Sequence, residues 1–417
     1  KGHSGAVSSR NVISFHFYQC HFVGNQADKK GAVLSFNYIS KLVFFQSLAI
    51  KNSANHGSAI QTDSIRLDNI QYTISISKCM LESNNRRDLY AVRTRVLEVI
   101  NSKFTGNKSV DKARALRCNK GFVLKVLNCS FTNYTDRSFY VNDYFQIIFQ
   151  NCLFTRNVAE FSGGAMYISQ TSNVSFVDCK FIQNTATLGG AATFKNLQYL
   201  MHRNVLFRNN RAKRIGAIYV HYVNHAYNIN CSFISNRAIG KNSATGGASF
   251  NAVDFLLNHI ILFFNNTANL AGALSVGTGE NKNLMVKSVI YRKSYFYHNR
   301  AQKGHGGAIV SRNVISFHFY QCQFVGNQAN QAGGAGTFHV VSKLIFIRSL
   351  TANNSAASGG AFLVTQSTYI LTSYCSLKYN VGKILAGAYR VANSKTFINE
   401  RSLFSGNRAT YDANVMH

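Results

Sequence analysis

Proline and tryptophan are absent from the 417 residues, and acids are scarce: 15 against 45 lysines and arginines. Each absence narrows the reading. Proline cannot donate to a β ladder and is kept out of central strands, so its absence fits a chain built almost wholly of paired central strands. No stretch approaches ~18 uninterrupted apolar residues, which excludes a transmembrane helix. No signal-peptide pattern follows Lys1, so the sequence reads as a processed product or a segment of something longer, and its address is not written at its N-terminus. Hydrophobic residues make up 46%, enough to bury a large core and to exclude disorder. Nothing in the chain repeats at a helical period.

What is present is a short repeat. A small residue is followed two later by Phe, three further by Asn, and usually two further by Ala. It reads Cys20, Phe22, Asn25, Ala27, and returns as Cys152, Phe154, Asn157; as Cys179, Phe181, Asn184; as Cys231, Phe233, Asn236; and as Cys322, Phe324, Asn327. Weaker copies place Val205 or Ser294 where Cys stood. The Asn column has fifteen copies, at 25, 52, 84, 107, 134 (a Tyr), 157, 184, 210, 236, 266, 299, 327, 354, 380 and 407, spaced 23 to 33 residues apart. A second pattern follows after a variable gap: Gly163-Gly164-Ala165, Gly189-Gly190-Ala191, Gly246-Gly247-Ala248, Gly306-Gly307-Ala308 and Gly359-Gly360-Ala361.

Short alternating strands divided by turn residues, repeated about every 27 residues, are the coils of a β-solenoid. The fold class predicted is all-β, a single-stranded right-handed parallel β-helix. About fifteen coils would form one continuous helix over residues 1–417, an elongated rod on the order of 70 Å long. Cys and Phe, two apart, point to the same side and inward, forming the core columns. The Asn column (Asn25, Asn157, Asn184, Asn210, Asn236, Asn266, Asn299, Asn327, Asn354 and Asn407 among its clearest members) is expected at a corner. There Asn tolerates a left-handed backbone and its amide bonds from coil to coil. The Gly pair supplies torsions closed to other residues.

The combined Gly-Gly-Ala-apolar and Phe-x-x-Asn pattern resembles the repeats of the chlamydial polymorphic outer-membrane proteins, within the wider pectin-lyase-like β-helix superfamily. That resemblance covers the whole chain and implies a β-helical surface adhesin. The chain departs from that family in lacking a C-terminal membrane barrel and in its basic charge, so outer-membrane secretion is not implied.

A longer period lies above the first. Residues 1–115 match 303–417 at an offset of about 302, and Arg10–Ala27 differs from Arg312–Ala329 only in His21 against Gln323. Near-identity on this scale indicates recent duplication. The sequence opens at the Gly-Gly-Ala half of a coil and stops after Asn407-Arg408-Ala409, with no polar cap at either end. It therefore reads either as part of a longer protein or as a chain that stacks head to tail on itself.

The net charge of +30 predicts attraction to polyanions such as acidic polysaccharide or glycans, lipid headgroups or nucleic acid. Nucleic acid would want exposed aromatics among the basic residues, and most Phe fall at inward phase, so that case is weak. Arg86, Arg87, Arg93, Arg95, Lys112, Arg114, Arg117 and Lys120 form the densest basic patch. Eight of nine cysteines occupy the inward column as small hydrophobes, in parallel stacks poorly suited to disulfides. Cys118 alone is out of phase and is expected exposed or bridged. Seven Asn-x-Ser/Thr sequons are candidate N-glycosylation sites: Asn107, Asn128, Asn133, Asn173, Asn230, Asn265 and Asn353. Of these Asn128, Asn230, Asn265 and Asn353 are expected to face outward.

An enzyme of this fold would need clustered or paired carboxylates. The acids here are scattered, with Asp136 and Glu160 the pair that coiling would bring to one face. His221 and His225 lack an evident third metal ligand. No catalytic residue, metal or cofactor is expected. The sequence thus points to an extracellular or cell-surface fibre-forming structural protein, with an adhesin or glycan-binding domain as the alternative and a polysaccharide lyase or hydrolase a distant third.

Overall fold

The computed structural model describes residues 5–28, 31–54, 59–63, 72–85, 87–107, 113–240, 245–277, 285–411 and 415–416. It is an all-β, right-handed parallel solenoid of about 14 turns of about 27 residues, with no helix among the described residues. The chain divides into two compact units, residues 1–186 with 191–198 and residues 187–190 with 199–417.

The same coil builds both units. A long strand of 12 to 14 residues leads through a tight corner into a strand of three, as in Phe139–Gln150 then Leu153–Thr155 of the first unit. Every pairing is parallel and joins equal phases, Phe139 to Met166 and Phe154 to Phe181. The second unit repeats this with Phe319 on Phe346 and Phe324 on Thr351. Stacking at strand spacing puts each three-residue strand's Phe directly on the next. Ring centroids run 4.8, 5.3 and 4.7 Å along Phe104, Phe131, Phe154 and Phe181. In the second unit Phe207, Phe233, Phe263, Phe296 and Phe324 form the same column at 4.7 to 5.1 Å. Each of these rings is at most 1% exposed, and burying one contributes roughly 2–3 kcal/mol.

Cys20 and Phe22 depart from the expected core: both are half-buried. Among the described residues their coil pairs with one neighbour, His21 to Val23 on Leu48 to Ile50.

The cysteine column does more than fill space. Each thiol points back at the carbonyl two residues earlier, Cys79 to Ser77 and Cys152 to Gln150 at 3.1 and 3.2 Å. Where serine stands in the column its hydroxyl makes the same bond, Ser102 to Ile100 and Ser349 to Ile347 at 2.8 and 3.1 Å. Cys and Ser share a small donor that caps the corner carbonyl, which explains why they interchange, whereas the buried Val205 and Ile261 fill the column without one. All nine cysteines are free, and Cys118 is fully buried, neither exposed nor bridged as anticipated.

The asparagine ladder forms as read, except in its backbone. In the second unit the side-chain amides of Asn210, Asn236, Asn266, Asn299, Asn327, Asn354, Asn380 and Asn407 bond one to the next at 2.9–3.1 Å. Asn25, Asn52 and Asn84, and separately Asn157 and Asn184, do so in the first unit. Asn299 illustrates full use of one amide. Its Oδ1 accepts from the Asn266 backbone and side chain, while its Nδ2 donates to Asn327 and to the Phe263 carbonyl. The left-handed residue is not the ladder Asn but the one before it, such as Arg156, Gln183, His298 or Asn353. Two further left-handed residues recur per coil, one just before the Cys column and one within the long strand.

The glycine pairs divide their work. Gly306 takes φ +65, while a Cβ on Gly307 would lie 2.0 Å from the Gly334 carbonyl oxygen of the next coil. The alanines that follow, Ala165, Ala191, Ala248, Ala308 and Ala361, are fully buried.

Candidate functional site

The left-handed residue inside the long strand resets the side-chain phase. Around it the inward residues are three apart, as in Ala91, Thr94, Leu97 and in Val141, Tyr144, Ile147. Two rows of outward side chains result, one on each side of the bend, and in the first unit both are basic and aromatic.

Tyr90, Arg117, Tyr140 and Tyr167 share the first row. The Arg117 guanidinium lies 5.7 Å from the Tyr90 ring and 5.5 Å from Tyr140. Arg137 sits 5.9 and 5.8 Å from Tyr140 and Tyr167, whose own rings stack at 5.5 Å. Asp136, itself buried, pairs with Arg114 and with Arg137 at 3.3 Å. Burial pulls the Arg137 pKa down, and the Asp136 carboxylate opposes that pull. Guanidinium groups held over aromatic rings lose little freedom on meeting an anion and present their donors in a fixed fork.

Across the bend the left-handed residues are Arg93, Lys120 and Asp143. Arg93, Arg95 and Lys120 are exposed. Beside them Phe122 and Phe145 stack at 4.8 Å and 5°, with 53% and 48% of their surface in water. Gly121 sets this arrangement. Any side chain there would strike the Tyr144 ring at 2.3 Å, and Tyr144 reaches past Gly121 along their shared column to bond Thr94, two coils away, at 2.6 Å. The expectation that most Phe fall at inward phase does not hold for these two. The signal that finds them is the inward triplet Leu116–Cys118 then Gly121 then Leu124, broken twice in parity.

Below this face the ladder is interrupted. The Asn84 amide donates to Asp88 at 2.8 Å, and the Tyr134 hydroxyl donates to the other Asp88 oxygen. Tyr134 stands at the ladder phase, and its N–H is taken by Asn157 Oδ1 at 3.2 Å. Asp88 is 1% exposed, and burial pushes its pKa up to about 7 against the pull of these two donors.

The other sequence candidates do not converge on one place. Among the sequons Asn128, Asn230, Asn265 and Asn353 are exposed, whereas Asn107, Asn133 and Asn173 are half-buried. Asn128 lies in an outer amide ladder between Asn101 and Asn151, at 3.0 Å to each. Asp136 is engaged by its arginines, and Glu160 is exposed. His221 stacks on Tyr219 and packs tilted against Tyr222, and His225 stacks on Tyr199 and Tyr227. No group of three or more metal-ligating side chains occurs among the described residues. Lys112 and Arg86 of the basic patch lie outside the described residues. No helix there is long and apolar enough to cross a membrane.

No family model and no solved structure matches the chain. Over 152 residues it is 31% identical to metabotropic glutamate receptor-like protein P of Dictyostelium discoideum. That match covers 36% of this chain and 10% of the relative.

Proposed function

We propose that this chain is a non-catalytic, extracellular surface module that holds acidic glycan on its basic–aromatic face, in the manner of an adhesin. The observation that carries the reading is the Arg117 guanidinium clasped between Tyr90 and Tyr140, next to the exposed Phe122–Phe145 stack. Charge-assisted forks recognise carboxylate or sulfate, and flat exposed rings take the apolar face of a sugar. The net charge of +30 draws polyanions to it. The receptor-like name of the Dictyostelium relative is compatible with a surface protein. The test is titration with polygalacturonate and with neutral dextran, using the native chain, Phe122→Ala and the triple variant Arg93→Gln, Arg95→Gln, Lys120→Gln. Saturable, salt-sensitive binding to the acidic polymer alone, weakened about tenfold in each variant, is expected. Equal binding of dextran, or binding indifferent to both variants, overturns it.

A second reading, copies assembling coil on coil into a filament, is favoured by the long repeat. Cys322 and Phe324 are fully buried against the preceding coil, through Phe324 on Phe296, whereas the matching Cys20 and Phe22 are half-buried. The copy at 312–329, near-identical to the coil at 10–27, thus shows how such a coil seats on another. Concentration-dependent filaments in negative-stain electron microscopy are expected on this reading. Particles of one size at every concentration refute it.

A further inference from the structure

The second unit carries its own basic column, remote in sequence from the face just described. Its position is the left-handed corner before the Cys column, where six successive coils place Ile260, Lys293, Gln321, Arg348, Tyr374 and Arg401. The corner is regular: the N–H groups of Lys293, Gln321, Arg348 and Tyr374 each bond a carbonyl of the following coil at 2.9–3.0 Å. All six side chains are exposed. Lys293, Arg348 and Tyr374 line an open groove of about 600 Å³ with Arg292, Tyr320 and Ser373.

Within this column the charges alternate. Lys293, Arg348 and Arg401 are cations on every second coil, and the neutral Gln321 and Tyr374 stand between them. Coils rise by one strand spacing, so successive cations are about 10 Å apart. Two of the aromatics are dressed by arginine: Arg292 lies 5.7 Å over Tyr320, and Arg401 lies 5.5 Å over Tyr374 and donates to its hydroxyl. Glu400 is the acid beside this corner, and it accepts from the Ser373 hydroxyl at 3.3 Å. Among the described residues Lys293 and Arg348 have no carboxylate partner.

We infer that this corner is a binding track for a linear acidic polysaccharide with one anionic group on every second sugar. An extended pyranose chain advances by about one coil rise per ring, so a chain lying along the corner meets one side chain per sugar. Anionic sugars then fall opposite Lys293, Arg348 and Arg401, and the uncharged sugars between them lie over Gln321 and Tyr374. This inference rests on the acidic-glycan reading and specifies a second site and a charge register for it.

The experiment is calorimetric titration of the full chain with two oligosaccharides of equal length, hyaluronan (acid on alternate sugars) and oligogalacturonate (acid on every sugar). The variants are Arg348→Gln, Tyr374→Ala and Gln321→Lys, each checked by circular dichroism for an unchanged fold. Arg348→Gln is expected to weaken hyaluronan about tenfold, the size of one charge-assisted contact. Gln321→Lys, which fills the gap in the register, is expected to raise affinity for oligogalacturonate several-fold more than for hyaluronan. Hyaluronan binding unchanged by Arg348→Gln and Tyr374→Ala, or an equal gain for both ligands in Gln321→Lys, overturns the track. If binding is then lost only in the Arg93, Arg95, Lys120 variant, the proposed function stands without it. If neither oligosaccharide binds the native chain, the underlying reading falls as well.

Discussion

Asp88 offers a quantitative test of how the ladder tolerates its interruption. Its carboxyl is wholly buried, holds the Asn84 amide at 2.8 Å and the Tyr134 hydroxyl, and has its pKa raised from 3.8 to about 7 by desolvation. A folded-state pKa above the unfolded value means that the folded chain keeps the proton longer. Stability is therefore complete in acid, below about pH 4, and is lost as pH rises toward 7. At pH 8 the accumulated loss is about 4 kcal/mol, from roughly three pKa units at ~1.4 kcal/mol each. At pH 4 it is below about 1 kcal/mol.

Asp88→Asn removes the titration while keeping the shape. Its Oδ1 can still accept from Asn84, and its Nδ2 can donate to the Tyr134 oxygen, but the Tyr134 hydroxyl hydrogen loses its acceptor, at a cost of about 1 kcal/mol. The variant is therefore expected to be about 1 kcal/mol less stable than the native chain near pH 4 and about 3 kcal/mol more stable at pH 8. Urea unfolding followed by far-ultraviolet circular dichroism at both pH values measures the two differences. Subtracting native from variant cancels the pH dependence of the other charges. A stability difference that is flat with pH, or that grows less favourable to the variant as pH rises, refutes the argument.

Other consequences are equally open to measurement. Asn299→Ala deletes four buried hydrogen bonds at once and should cost about 3 kcal/mol or more in urea unfolding, whereas Asn128→Ala on the exposed ladder should cost under about 1 kcal/mol. His202, buried with its Nδ1 2.8 Å from Asn228 Oδ1, has its pKa lowered by burial from 6.5 to about 4. The unfolded chain thus takes the proton first, and the second unit should lose up to about 3 kcal/mol between pH 6.5 and 4, a limb that His202→Gln abolishes. An aromatic disulfide reagent applied to the native chain should modify Cys20 first, because it is half-buried while the other eight thiols are buried. Produced in a eukaryotic secretory host, the chain should carry glycans at the exposed Asn128, Asn230, Asn265 and Asn353 and not at the half-buried Asn107, Asn133 and Asn173, as peptide mapping by mass spectrometry would show.

Much of the fold is legible because a solenoid writes each contact many times. Cys, Phe and Asn at fixed spacing mean stacked columns, and the columns are there. The long strand was less legible. Strict alternation holds at its two ends, but the left-handed residue between them, as at Arg93, Lys120 or Asp143, inserts inward positions three apart. That reset puts Phe122 outside while Cys118, four residues earlier, lies inside, and Phe145 outside while Val141 lies inside, although strict alternation would keep each pair on one face. Single events are harder still. Asp88 and Tyr134 meet across 46 residues, and His202 joins Asn228, which in turn bonds Asn258, in a buried polar row. The Asp88–Tyr134 contact occurs once and the His202 row runs through only three coils, so periodicity does not announce them.

The corner residues themselves argue that the second unit's surface is selected for more than folding. A left-handed residue with a Cβ costs roughly 1–2 kcal/mol, except that Asn and Asp pay less through local hydrogen bonds. In the first unit the corner before the Cys column holds Gln19, Gln46 and Lys78, then Asn101, Asn128 and Asn151, whose amides also bond to one another, and Asp178. The run of Asn needs only conformation to explain it. At the same corner the second unit begins with Asn204, Asn230 and Ile260 and continues with Lys293, Gln321, Arg348, Tyr374 and Arg401, the last five with φ between 47 and 54. None of these types favours that conformation, and Asn would fold there more cheaply in every coil. Strain kept at five successive coils calls for a compensating use of the side chains, and an exposed row of alternating cations and neutral groups supplies one in binding. If the track is real, replacing all five by Asn should stabilise the second unit and abolish its share of glycan binding. A loss of stability on that exchange would show instead that the corner side chains hold the coil together.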